Sequence, residues 1–201
     1  VEEAMSLPRL QSSDALIVVD VQVDFCPGGA LPVKDGAEVV PLLNRWMQAA
    51  EEGGAHVFAS RDWHPLGHVS FRERGGPWPA HCIQGTIGAA FHPGLRLPSG
   101  ALVVSKGMDP DRDAYSAFEG TQLADLLRER GVRRVWVGGL ALDVCVRATV
   151  LDALKEDLEV HLIKDGARPV EVGRDLLVIE EMGKAGCIVQ NGADDARDRA
   201  G

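Results

Sequence analysis

Short apolar runs alternate along the chain with longer stretches in which apolar residues recur every three or four positions. The runs Ala15–Val19, Ala55–Ala59, Ala101–Val104, Val135–Val137 and Leu158–Ile163 read as strands, and a last short one is expected around Cys187–Val189. Between them, Ala37–Glu52, Gly120–Arg130, Asp143–Glu156 and Val170–Ala185 carry helical spacing, as in Leu123, Leu126 and Leu127 or Val146, Val150 and Leu154. Strands that are apolar throughout and separated by helices belong to a parallel sheet covered on both faces. The expectation is a doubly wound α/β domain: a mostly parallel six-stranded sheet with helices on both faces, single and continuous over residues 14–190. Residues 1–13 are expected to form a flexible N-terminus, and the polar stretch 191–201 (NGADDARDRAG) a flexible tail.

One segment breaks the rhythm. From Asp62 to Leu97 the chain is rich in Gly, Pro and His and has little periodicity. Loops of that length in a compact domain are usually functional or disordered, and the two tryptophans and four histidines in this one favour function.

Composition narrows the classes. The net charge of −9 offers no basic face for a nucleic-acid backbone, so none is expected as partner. No apolar run approaches the ~20 residues of a membrane-spanning helix. Val1–Ser13 has acidic residues and no apolar core, so it does not read as a secretory signal, and the cytoplasm is the expected compartment. The cysteines at 26, 82, 145 and 187 form no CxxC pair and are expected to be reduced.

In open α/β sheets, ligands bind beyond the carboxyl ends of the strands. The first strand ends at Asp20, the second at Arg61-Asp62-Trp63-His64, the third at Lys106, and the fourth in a Gly-Gly turn before Cys145. Cys145 lies two residues after Asp143, a candidate N-cap, so its thiol faces the positive end of a helix, which is expected to lower its pKa. Asp20 is a candidate base for that thiol and Lys106 a candidate cation to steady the pair. Asp62 and His64 are two residues apart and point to one side of an extended segment; with His81 they offer a carboxylate and two imidazoles to Zn²⁺, Fe²⁺ or Mn²⁺. His68 reads as a solvated loop histidine, and His56, His92 and His161 as structural. Aromatic residues are only 5% of the chain, yet Phe25, Trp63, Trp78 and Tyr115 all fall in or beside these motifs, as walls for a flat ring would.

With these residues in place, the chain resembles the isochorismatase-like cysteine hydrolases from about Ala15 to Val189. The resemblance rests on DVQVDFCPGGAL from Asp20, RDWHP from Arg61, WPAHCIQGT from Trp78, SKGMDPDRDAYSAFEG from Ser105 and LDVCVRATVLDA from Leu142. It implies a catalytic triad of Asp20, Lys106 and Cys145, and one divalent metal, zinc before iron or manganese, on Asp62, His64 and His81. It further implies a ring pocket of Phe25, Trp78 and Tyr115, and an oxyanion hole from the amides of Ala141 and Cys145 beside a cis Leu140–Ala141 peptide. The metal motif implies the branch of the family that deamidates nicotinamide; another small amide remains open, as does a homo-oligomer. Leu142 departs from the small hydroxyl residue usual at its position. Two rival readings are a metal-dependent oxygenase around Asp62, His64 and His81, and a non-catalytic binding module. The first leaves Asp20, Lys106 and Cys145 idle, and the second lacks a G-x-G-x-x-G or P-loop pattern.

Overall fold

In the computed structural model, described here over residues 7–190, six strands form one sheet in the order β3-β2-β1-β4-β5-β6. They are β1 (Asp14–Val19), β2 (His56–Asp62), β3 (Leu102–Lys106), β4 (Arg134–Leu140), β5 (Glu159–Arg168) and β6 (Ile188–Gln190), and every neighbouring pair is parallel. The order reverses at β1, so the crevice of a doubly wound fold opens between the ends of β1 and β4. The tail 191–201 and residues 1–6 lie outside the described residues; within the stretch before β1, Leu10 is buried.

Alternation along β1 sorts the core into two layers. Leu16 and Val18 pack with Val39, Leu43, Trp46 and Met47 of α1 (Val39–Gly53). Ala15, Ile17 and Val19 face the opposite layer, which α2 (Leu123–Glu129), α3 (Arg147–Lys155) and α4 (Asp175–Lys184) supply through Leu123, Leu127, Val150, Val178 and Met182. Each fully buried Leu, Ile or Val contributes about 1.5–3 kcal/mol. At the amino end of β1, Asp14 takes a two-pronged ion pair from Arg134 of β4, at 2.9 and 2.7 Å. No helix among the described residues is long and apolar enough to cross a membrane.

The helices start later than the apolar spacing indicates, and the causes are local. α4 begins at Asp175 rather than Val170 because the Val170 and Glu171 N–H groups donate to the Asp143 carboxylate and Gly173 sits at φ +91°. The stretch expected as one helix from Asp143 is a π turn, Leu142–Val146, that leads into α3. Asp143 does not cap its own helix: the cap position is Ala141, and the Asp143 carboxylate holds the loop after β5 instead. The Gly-Gly pair is no turn either, since β4 runs through it to Leu140. Gly139 stands at φ +133°, and a Cβ there would lie 2.0 Å from the Val19 carbonyl oxygen. We expect Gly139→Ala to lower stability by about 3 kcal/mol or more, through backbone strain and that clash. Urea unfolding checks this, and a parent-like midpoint would contradict it.

Candidate active site

The strand ends bring the charged residues together through register. Asp62 and Lys106 are partners on the adjacent strands β2 and β3, so their side chains leave the sheet on one face. Asp20 follows β1 with φ +48°, a conformation Asp adopts more readily than most residues, and the chain turns away from the sheet there. The Lys106 ammonium lies 2.8 Å from Asp20 Oδ2, pairs closely with Asp62 Oδ1, and reaches Cys145 Sγ at 3.5 Å. Ser60 Oγ donates to Asp20 Oδ1 at 2.7 Å. All four charged or reactive groups are buried, with Lys106 only 1% exposed.

Burial dominates the electrostatics of this cluster. It pushes the Cys145 thiol well up; Lys106 pulls the other way, and Asp20 and Asp62 add to the rise. The lowered thiol pKa expected from a helix start is therefore not found: two buried carboxylates and desolvation outweigh a lysine. Burial also raises Asp20, against the pull of Lys106. For Lys106, burial alone would favour the neutral amine, but Asp20 and Asp62 outweigh it and hold the ammonium well above its ordinary range. For Asp62, burial is likewise overcome, by Lys106, His64 and His81, and its carboxyl sits well below its ordinary value.

Next to this cluster, donor atoms of Asp62, His64 and His81 lie within 4.8 Å of one another. His64 Nε2 and His81 Nε2 approach Asp62 Oδ2 at 3.5 and 3.7 Å. The far nitrogens meet backbone carbonyls, His64 Nδ1 at Gly107 (2.9 Å) and His81 Nδ1 at Pro79 (2.7 Å). A carbonyl only accepts, so both Nδ1 atoms carry protons, and both Nε2 atoms turn toward Asp62. That is the outer arrangement that orients metal-binding imidazoles, and the residues fit a divalent cation.

His68 is not the solvated loop histidine its position suggested. It is fully buried and stacked on His64 at 4.1 Å. Its Nδ1 meets Ser70 Oγ at 2.7 Å and its Nε2 the Arg112 carbonyl at 3.0 Å, so neither nitrogen faces the three donors. His161 stacks on Trp136 within the core and His92 Nδ1 accepts the Gly94 N–H, both remote from the cluster.

Above these groups lies a cavity of about 430 Å³, its mouth included. Asp62, His64, His81, Ala141 and Cys145 form part of its lining, with Phe25, Trp78 and Tyr115 as aromatic walls. Trp78 Nε1 donates to the Tyr115 hydroxyl at 3.2 Å, and burial pushes the Tyr115 phenol up to about 12. Trp63 instead carries the Arg61 guanidinium 3.8 Å from its ring centre and is not part of the lining. The Leu140–Ala141 peptide is cis, and Cys145 sits in the π turn that follows, where the Val146 N–H donates to the Ala141 carbonyl. The Leu142 side chain is buried in the apolar layer under α3. Sequence reasoning missed Ser60, Ser70, Asp113, Val144 and Val170. The last four line the cavity; Asp113, in the SKGMDPDRDAYSAFEG stretch, and Val144, in LDVCVRATVLDA, lay within motifs that could have flagged them, whereas Ser70 and Val170 lay in none.

Comparison with known proteins places this geometry. The nicotinamidase of Escherichia coli (strain K12) is 41% identical over 179 residues, covering 79% of this chain and 84% of its own length. The zinc complex of Pyrococcus horikoshii pyrazinamidase superposes with a TM-score of 0.87 at 49% identity, covering 89% of this chain and 99% of that one. The nicotinate complex of PnC1 from L. infantum gives 0.83 at 37%, covering 92% and 96%. Residues 14–194 match the isochorismatase domain model, and the chain belongs to the isochorismatase family of hydrolases.

Proposed function

We propose that this chain hydrolyses nicotinamide to nicotinic acid and ammonia, with Cys145 as nucleophile. The observation that carries the reading is a single buried cluster, in which the Lys106 ammonium touches Asp20, Asp62 and Cys145, set in a cavity with aromatic walls. The nicotinamidase relatives and the nicotinate-bound neighbour support the substrate. Four free cysteines suit a reducing compartment, and we place the protein in the cytoplasm.

Each residue then has a task. Phe25, Trp78 and Tyr115 hold the pyridine ring so that its carboxamide carbon lies over Cys145 Sγ. Asp20 takes the thiol proton as sulfur attacks, and Lys106 balances the charge shared by the two. The negative oxygen that develops on the carbonyl is held by the amides of Ala141 and Cys145 at the start of the π turn. Asp20 returns its proton to the amide nitrogen, the C–N bond breaks, and ammonia leaves a thioester on Cys145. Water then gives a proton to Asp20 and its oxygen to the acyl carbon; the C–S bond breaks, nicotinic acid departs, and the sulfur regains its proton. Asp62, His64 and His81 hold a divalent metal, which we propose to be zinc, as suits one carboxylate and two imidazoles and as is bound in the P. horikoshii neighbour. When bound, the ion would supply Lewis-acid chemistry beside the nucleophile.

Three outcomes are expected. Ammonia release from nicotinamide falls by about 10³-fold or more in Cys145→Ala while the circular dichroism stays parental, because no other group in the cavity can form the thioester. Undiminished release by that variant would remove Cys145 as nucleophile, and silence from a metal-loaded parent would send the substrate search to other small amides. Chelation to a metal-free state verified by elemental analysis should remove turnover, and one equivalent of zinc should restore it; full turnover without metal would refute the metal's part. Tyr115→Phe leaves the Trp78 N–H without its acceptor and should raise KM for nicotinamide about tenfold, near the cost of one unmade hydrogen bond. An unchanged KM would take that pair out of ring binding.

A further inference from the structure

Residues 20–22 leave the sheet at the point where β2 is completing its own ladder. In a regular parallel pairing continued from Val19↔Ser60, the Asp62 N–H would donate to the Asp20 carbonyl, and the Gln22 N–H to the Asp62 carbonyl. The first step of that pattern is present, since the Asp20 N–H donates to the Ser60 carbonyl at 3.1 Å. The next is not. With Asp20 at φ +48°, the backbone folds back and the Gln22 N–H donates to the Asp20 carbonyl at 2.8 Å. Asp62 is left at a buried strand end with both main-chain groups turned toward a strand that has departed.

The Gln22 side chain fills that gap. Its Oε1 accepts the Asp62 N–H at 2.8 Å, and its Nε2 donates to the Asp62 carbonyl at 2.8 Å and to the Ala89 carbonyl at 2.9 Å. A primary carboxamide offers one acceptor beside two donors, which matches the two strand bonds and adds one to the loop. Gln22 is fully buried, so no water competes for these groups.

We propose that Gln22 is a positioning residue for the metal site: its carboxamide stands in for the missing stretch of β1 and fixes the backbone of Asp62, and through Ala89 it ties that ligand to the loop that carries His81. The inference rests on the metal reading given above. The same kink that aims the Asp20 carboxylate at Lys106 would otherwise leave the first metal ligand on a loose strand end. Gln22 allows both.

The test is a zinc titration against a competing chelator, with the parent, Gln22→Met, Gln22→Glu and Asp14→Asn. Met fills the space and removes all three hydrogen bonds; Glu keeps an acceptor for the Asp62 N–H and carries the test if the Met variant does not fold. Asp14→Asn weakens the Arg134 ion pair at the opposite end of β1 and serves as a destabilised control. Zinc affinity is expected to fall about 10–100-fold in Gln22→Met and by less in Gln22→Glu, the range for outer residues that orient ligands. In Asp14→Asn it stays parental even as the melting temperature drops. Parental affinity in both Gln22 variants would overturn the role of Gln22 alone, as would an equal loss in Asp14→Asn. A parent that binds no zinc would overturn the metal site and the inference together.

Discussion

One ammonium, withdrawn from water between two carboxylates and a thiol, organises this molecule. Lys106 is 1% exposed, and a lone charge at that depth would cost several kcal/mol. Asp20 and Asp62 offset that cost only because three strands deliver them to one point: β1 and β2 supply the carboxylates and the edge strand β3 the lysine. Removing either carboxylate would leave the rest of the cluster with uncompensated charge, so the fold and the chemistry share the same interactions.

The pairing also divides labour between the carboxylates. Asp20, raised by burial and held by Ser60, is the more readily protonated of the two. Asp62, held well below its ordinary range once Lys106, His64 and His81 overcome burial, stays a charged acceptor facing two imidazole Nε2 atoms. Two acids of the same type on neighbouring strands thus take opposite roles, and Lys106 touches both.

How much of this could be read from the chain depends on distance along it. The strands, the parallel sheet and the residue types at strand ends follow from local apolar pattern, and the long loop with Trp78 and His81 declared itself by composition. What local pattern does not carry is register. Nothing in VVSK or FASRD says that Asp62 and Lys106 stand opposite each other, nor that β1 leaves the sheet after Val19. The thiol pKa came out with the opposite sign because burial is a property of the assembled domain. The late start of α4 has its origin in Asp143, whose side chain bonds across 27 residues rather than to its own helix. His68 was misplaced for a similar reason: a Gly- and Pro-flanked histidine looks wet until its loop is packed against Arg112.

Asp143 has a consequence for how this enzyme can change. Its carboxylate grips the Val170 and Glu171 amides, and Val170 is a wall of the cavity, while Cys145 lies two residues further along the same π turn. The Val170 wall and the Cys145 sulfur, both lining the cavity, are therefore mounted on a common joint. A lineage that reshapes this side of the pocket for a wider ring must also resettle Cys145, whereas Phe25, hung from another loop, can be exchanged by itself and Trp78 and Tyr115 as a bonded pair. Divergence in substrate choice is thus channelled toward the aromatic side of the cavity.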